Sequence, residues 1–196
     1  SDPAMEEALY EVPLYCRFAG LDLGVDTVPD ETTLCKFRHL LEQHQLADVF
    51  LREINAELSH RGLLLKQGTV VDATLIAAPP STKNQERKRD PEMSSTRKGN
   101  QWYFGMKAHI GADADSGVVH SVAFTAAKVP DNEVMDQLLH GGEDAAHGDK
   151  AHSCNQHHLL ASDPEQGPIW CMPFKKPPGG ELPEWKQEIN RRLASL

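Results

Sequence analysis

The hydrophobic period of this chain changes once, near Gly68, and that change separates two parts that cannot share one architecture. Before it, apolar residues recur at steps of three and four: Leu34, Phe37, Leu40 and Leu41, then Leu46, Phe50, Ile54 and Leu58. This is the spacing of one face of a helix. Residues 5–61 accordingly read as a small helical bundle. Pro29-Asp30-Glu31 supplies a start signal with Asp30 as N-cap, and Gly62 after Arg61 supplies a stop.

After Gly68 the pattern is β-rich. Thr69–Ile76 is a strand run with one acid in its middle, followed by a Pro-, Ser-, Lys- and Arg-rich connection over 79–101. Trp102–Ile110 and Val118–Phe124 read as a hairpin around the turn residues Asp113–Gly117. Asn132–His140 reads as a helix, Ala145–Asp149 as a short strand ending in a turn, Asn155–Ala161 as a helix, and Ile169–Phe174 as a fifth strand. Glu181–Leu196 is an amphipathic helix. The order β-(loop)-ββ-α-β-α-β-α predicts an α/β mixed sheet behind a helical module, with domains at 1–62 and 68–196.

Composition removes several classes. No apolar run of about 18 residues exists, so no membrane partner is expected. No signal-peptide pattern opens the chain, and Cys16, Cys35, Cys154 and Cys171 are too sparse for a disulfide framework. A reducing, cytoplasmic setting follows. With 20 basic against 29 acidic side chains, net −9, the protein is a poor indiscriminate polyanion binder. Net positive charge is confined to residues 61–101 and 175–196. The acidic stretch 102–174 suits metal ligation better than phosphate binding.

Two acids stand out. Asp72 lies inside a Val/Ile strand, a costly place unless the carboxylate binds something. Asp149 ends a short apolar strand beside Gly148, and ligands gather at the carboxyl ends of strands in open α/β sheets. Paired carboxylates of this kind hold divalent cations against a phosphodiester. Lys83, Arg87, Lys88, Arg89, Arg97 and Lys98, with Lys107, Lys175, Lys176, Arg191 and Arg192, are the candidate nucleic-acid contacts. His152, Cys154, His157 and His158 carry zinc-like chemistry, but their spacing is not that of a closed four-ligand site. His109, His120, His140 and His147 read as structural. No nucleophile elbow, P-loop or dinucleotide fingerprint is present.

Ser1–Tyr10, Phe18–Leu21, Pro29–Thr33 and Phe37–Glu42 resemble the amino-terminal domain of bacterial insertion-sequence transposases of the insertion-sequence-five family. Val71–Thr74, Ser81–Asn84, Arg89–Met93, Lys98–His109 and Gly148–Lys150 resemble its catalytic domain. The string at 98–109 is the most specific.

The resemblance implies a ribonuclease H-like fold and a metal-binding Asp, Asp, Glu set, with Asp72 and Asp149 matching the two aspartates. It implies Mg²⁺, or Mn²⁺ in its place, and phosphoryl transfer on DNA at element ends and target. A bacterial, nucleoid-associated setting and a homodimer or a full-length transposase as partner belong to the same implication. The family's Glu lies on the helix after the last core strand. Here that helix is Glu181–Leu196, and Glu181, Glu184 and Glu188 come too early for the motif. The chain is thus expected to be clipped at both ends and inactive for want of the third acid. His152 stands where the family usually has Tyr. A non-catalytic DNA-binding or regulatory remnant, and a hydrolase of small phosphoesters, are the competing readings.

Overall fold

The computed structural model of this chain describes residues 2–64, 67–83, 87–153 and 167–194. Two compact units emerge, Ser1–Ile54 and Asn55–Leu196. In the first, α1 (Asp2–Glu11) and α2 (Pro13–Ala19) are divided at Val12, whose extended backbone places Pro13 at the first helical position. Helix α3 (Glu31–Gln43) begins where the sequence predicts. The Asp30 carboxylate accepts the backbone N–H of Thr33 at 2.7 Å, and the Thr33 hydroxyl, that N–H and the Thr32 hydroxyl together hold its pKa below the ordinary carboxylate value. An Arg38–Asp2 ion pair of 2.7 Å joins α3 to α1. Helix α4 spans Leu46–His60. The apolar stripes of α3 and α4 contain no fully buried residue, and Phe37, Leu40, Phe50 and Ile54 stay exposed.

The second unit is built on a mixed sheet. Strand β1 (Gly68–Ala77) pairs antiparallel with β3 (Gln101–Asp113), from Thr69 opposite Asp113 to Ala77 opposite Gly105. On its other side β1 runs parallel to β5 (Ala145–Gly148), and β5 parallel to β6 (Ile169–Cys171). The far edge of β3 carries β2 (Ser94–Lys98) along its first residues and β4 (Val119–Ala126) along its last. The order is β2-β3-β1-β5-β6 with β4 also on β3. An antiparallel meander joined to parallel crossovers is the mixed α/β arrangement expected from the sequence, consistent with a ribonuclease H-like fold.

The core lies on the face opposite Asp72. Val71, Ala146 and Met172 pack with Met135 and Leu138 of α5 (Met135–Leu138), a short helix that follows a 3-10 turn over Asp131–Glu133. Gly111 lets α5 approach: a Cβ there would sit 2.5 Å from the Leu138 carbonyl. Helix α6 (Glu184–Leu193) closes the described chain. Cys16, Cys35 and Cys171 are free thiols, and among the described residues no helix is long and apolar enough to cross a membrane.

Several elements differ from the sequence reading. The connection 79–101 contains β2, an edge strand made by pairing rather than by apolar alternation. The helix expected over Asn132–His140 shrinks to the 3-10 turn and α5. Leu139 is extended, and the Glu143 carboxylate takes the N–H groups of His140 (2.5 Å) and Gly141 (2.9 Å) that would otherwise be left without partners. The fifth strand stops at Cys171 and the last helix starts at Glu184 behind Pro183. The helix expected over Asn155–Ala161 lies outside the described residues.

Glu143 also accepts from Thr69 Oγ1 at 3.2 Å, and its side chain is 1% exposed. Burial pushes its carboxyl upward, but the N–H groups around it and His140 prevail, so its pKa falls below the ordinary value of 4.5. A lowered folded-state pKa means that its stabilisation is complete above the unfolded value and is lost as pH falls through the folded one. Glu143→Gln is expected to cost about 2 kcal/mol near pH 7. In urea titrations at decreasing pH, the gap between the variant and the parent should narrow below about pH 4.5. A pH-independent gap would contradict this role.

Candidate active site

Strands β1 and β5 lie side by side, and their last paired residues are Val71 and Gly148. Asp72 and Asp149 are the next residue on each. In a parallel pair, neighbours in register share a face, so one step past Val71 and Gly148 carries both acids away from the core. Both line one cavity of about 290 Å³. The adjacency follows from short, parallel strands, and the sequence reading of an acid in β1 and an acid ending β5 maps onto it directly.

The two carboxylates are held differently. Asp72 is exposed, and among the described residues its Oδ1 accepts only the N–H of Ala73, at 2.8 Å. Asp149 Oδ1 accepts the N–H of Ala151 at 2.7 Å and pairs with His152 Nδ1 at 2.9 Å. Partial burial would raise the Asp149 pKa, but the His152 ring and the N–H groups of Ala151 and His152 outweigh it and hold it below the ordinary carboxylate range. The group is therefore an anion at neutral pH. Among the described residues the Oδ2 atoms of both aspartates accept no hydrogen bond.

Gly148 makes this corner possible. A Cβ there would lie 2.9 Å from Val71 Cγ2 and 3.3 Å from His152 Cβ. Gly148→Ala should push β5 from β1 or His152 from its seat, at a cost of about 1–3 kcal/mol. Thermal or urea unfolding measures it, and an unchanged midpoint would show that the corner has slack.

The opposite wall is basic. Thr96, Arg97 and Lys98 of β2 line the cavity, with Lys107 of β3 and Asp131. Arg97 is turned over the hairpin tip, where it donates to Gly99 O at 3.0 Å and Asn100 Oδ1 at 3.2 Å. Lys107 is mostly buried, donating to Val129 O and to Asp131 Oδ1, each at 2.8 Å, so its charge is already matched. Behind it His109 is fully buried, 2.8 Å from Thr125 Oγ1. Burial holds the His109 pKa down, Asp131 opposes this, and Lys107 and His152 add to it.

The other candidate basic residues stand elsewhere. Lys175 reaches the turn after Asp149, 3.3 Å from Ala151 O. Lys176 is exposed. Arg191 and Arg192 pair with Glu188 on α6. Arg89 donates to Pro80 O and stacks 5.3 Å over Phe104. Lys83, Arg87 and Lys88 are exposed and do not line the cavity. Of the zinc-like group, Cys154, His157 and His158 lie outside the described residues. Asp131 and Thr96 are the cavity residues with polar side chains that the sequence reading missed. Gly99-Asn100 was the available signal for β2, since a two-residue Gly-Asn step marks a hairpin. Nothing in the sequence singles out Asp131.

The donor set suits a hard divalent cation: two carboxylates, on one face, each with a free oxygen. Among the described residues no three His, Cys, Asp or Glu side chains converge as a metal site. No solved structure matches the chain. A family described as Transposase DDE domain matches residues 64–193, and one described as Transposase domain (DUF772) matches residues 1–40. The first match covers β1 through α6 and contains both aspartates, so the chain belongs to the DDE transposases, DNA-transposing proteins that use divalent metal ions.

Proposed function

We propose that Asp72 and Asp149 are two of the metal-binding acids of a DNA strand-cleavage and strand-transfer site of the insertion-sequence-five type. The observation that carries this is their placement: neighbours on parallel strands, on the face away from the core, in one cavity whose far wall is basic. Mg²⁺, or Mn²⁺, would be held by their Oδ2 atoms. When bound, such ions activate water and stabilise the leaving oxygen of a phosphodiester. The protein's own part is positioning. The Ala73 N–H orients Asp72, and the turn at 149–152 orients Asp149. Arg97 and Lys98 offer cations to the DNA backbone beside the acids, while Asp131 keeps Lys107 from collapsing onto them.

Two carboxylates leave most of an ion's shell to water, so the reading includes weak metal binding, with Kd on the order of 10⁻⁴ M. It also includes no efficient cleavage of element ends by these 196 residues, because among the described ones no third acid converges with the pair as a metal ligand, and Asp131 on the same cavity is paired with Lys107. Incubating the chain with end-containing duplex and Mn²⁺ tests this. Robust cutting would show a third ligand that this account has misplaced.

DNA binding should be weak and salt-sensitive, since each phosphate contact releases counterions. Changing Arg97 and Lys98 together to Gln should flatten the slope of log K against log salt by about 2. Fluorescence anisotropy across a salt series measures it, and an unchanged slope would remove the β2 wall from the interface.

A further inference from the structure

His152 follows β5 in the turn that leaves Asp149, and its ring folds back beneath the aspartate. Nδ1 lies 2.9 Å from Asp149 Oδ1. The backbone N–H of Ala151 bonds the same oxygen, so Oδ1 is fixed from two directions. The ring cannot drift, because His152 is 1% exposed and sits against Gly148, where even one added carbon would crowd His152 Cβ and Cγ. Asp149 itself is mostly open, with its side chain 67% exposed. A rigid buried ring is thus attached to an otherwise free carboxylate.

The other ring nitrogen points to the same role. Nε2 is buried without a hydrogen-bond partner among the described residues. Among the described residues the polar contact that the buried ring makes is the one through Nδ1, to Asp149.

We propose that His152 is the positioning residue of Asp149, its Nδ1–H holding Oδ1 so that Oδ2 faces the cavity shared with Asp72 and is ready for a divalent cation. This rests on the reading of Asp72 and Asp149 as metal ligands. Groups that orient a ligand in this manner typically change metal affinity by about 10–100-fold when removed.

Two readouts test it on the whole chain. The first needs no metal. Long-range ¹H–¹⁵N NMR on histidine-labelled protein should find a proton on His152 Nδ1. A proton on Nε2 instead overturns the proposal. The second is Mn²⁺ affinity by electron paramagnetic resonance. His152→Leu keeps bulk but no donor, and should weaken binding about tenfold. His152→Asn places an amide N–H near the Nδ1 position and should restore affinity to within about threefold of the parent. If His152→Leu binds as the parent does while Asp72→Asn does not, the metal site stands and the positioning role falls. If none of these variants, Asp149→Asn included, alters binding, the ligand reading itself is wrong and the proposal falls with it. Should His152→Leu fail to fold, the tautomer and the Asn variant still decide.

Discussion

Asp72→Asn is expected to reduce Mn²⁺ affinity by about 100-fold or more, from a weak but saturable site to no saturable binding. The size follows from the ligand count. Of the three carboxylates on the cavity, Asp131 is matched by Lys107, so removing the Asp72 charge removes half of the remaining anionic field that draws a hard cation from water. An amide oxygen does not replace it. Asp149→Asn should act equally on the metal and should also release His152, since an amide is a poorer acceptor for its ring N–H. Asp115→Asn, in the exposed turn between β3 and β4, is the control and should bind as the parent does. Calorimetry or paramagnetic resonance on folded variants gives the answer. Equal affinity in Asp72→Asn and the parent would place the cation elsewhere.

Leu138→Ala should destabilise the second unit by about 3 kcal/mol, within the usual range for deleting a buried leucine. Leu138 has no exposed surface and packs with Val71, Met135, Ala146 and Met172. Its own carbonyl lies over Gly111, so α5 cannot slide inward to fill the space without meeting the β3 backbone. The site should suffer as well. Val71 precedes Asp72, and Ala146 lies two residues before Gly148, so a loosened core loosens the strand ends that aim both aspartates. Urea unfolding measures the loss, and a change below about 1 kcal/mol would mean that the site can collapse without strain.

These expectations rest on parts of the molecule that were unequally visible in the sequence. Asp72 was legible because a charge among Val70, Val71, Leu75 and Ile76 contradicts its surroundings, and such contradictions mark sites. The hairpin of β3 and β4 was legible from Asp113–Gly117, where the Asp113 carboxylate indeed accepts the N–H groups of Asp115 and Ser116. Strand β2 was not, because Ser94-Ser95-Thr96-Arg97-Lys98 has the composition of a loop and becomes a strand only through β3. The helix over 132–140 was overestimated because Val134, Met135, Leu138 and Leu139 recur at helical spacing across it. The side chain that ends it, Glu143, lies beyond the segment. Lys107 read as a DNA contact from its charge, and only the fold shows Asp131 beside it, 24 residues away. His152 was visible as an unusual residue, but its bond to Asp149 depends on a turn and on the missing side chain of Gly148.

The most direct test of the account is a crystal of the chain grown or soaked with Mn²⁺ and measured at an anomalous wavelength. The predicted result is a manganese peak within coordination distance of the Oδ2 atoms of Asp72 and Asp149, in the cavity walled by Arg97 and Lys98. A peak away from both carboxylates, or the two carboxylates found on opposite faces of the sheet, would contradict the central claim.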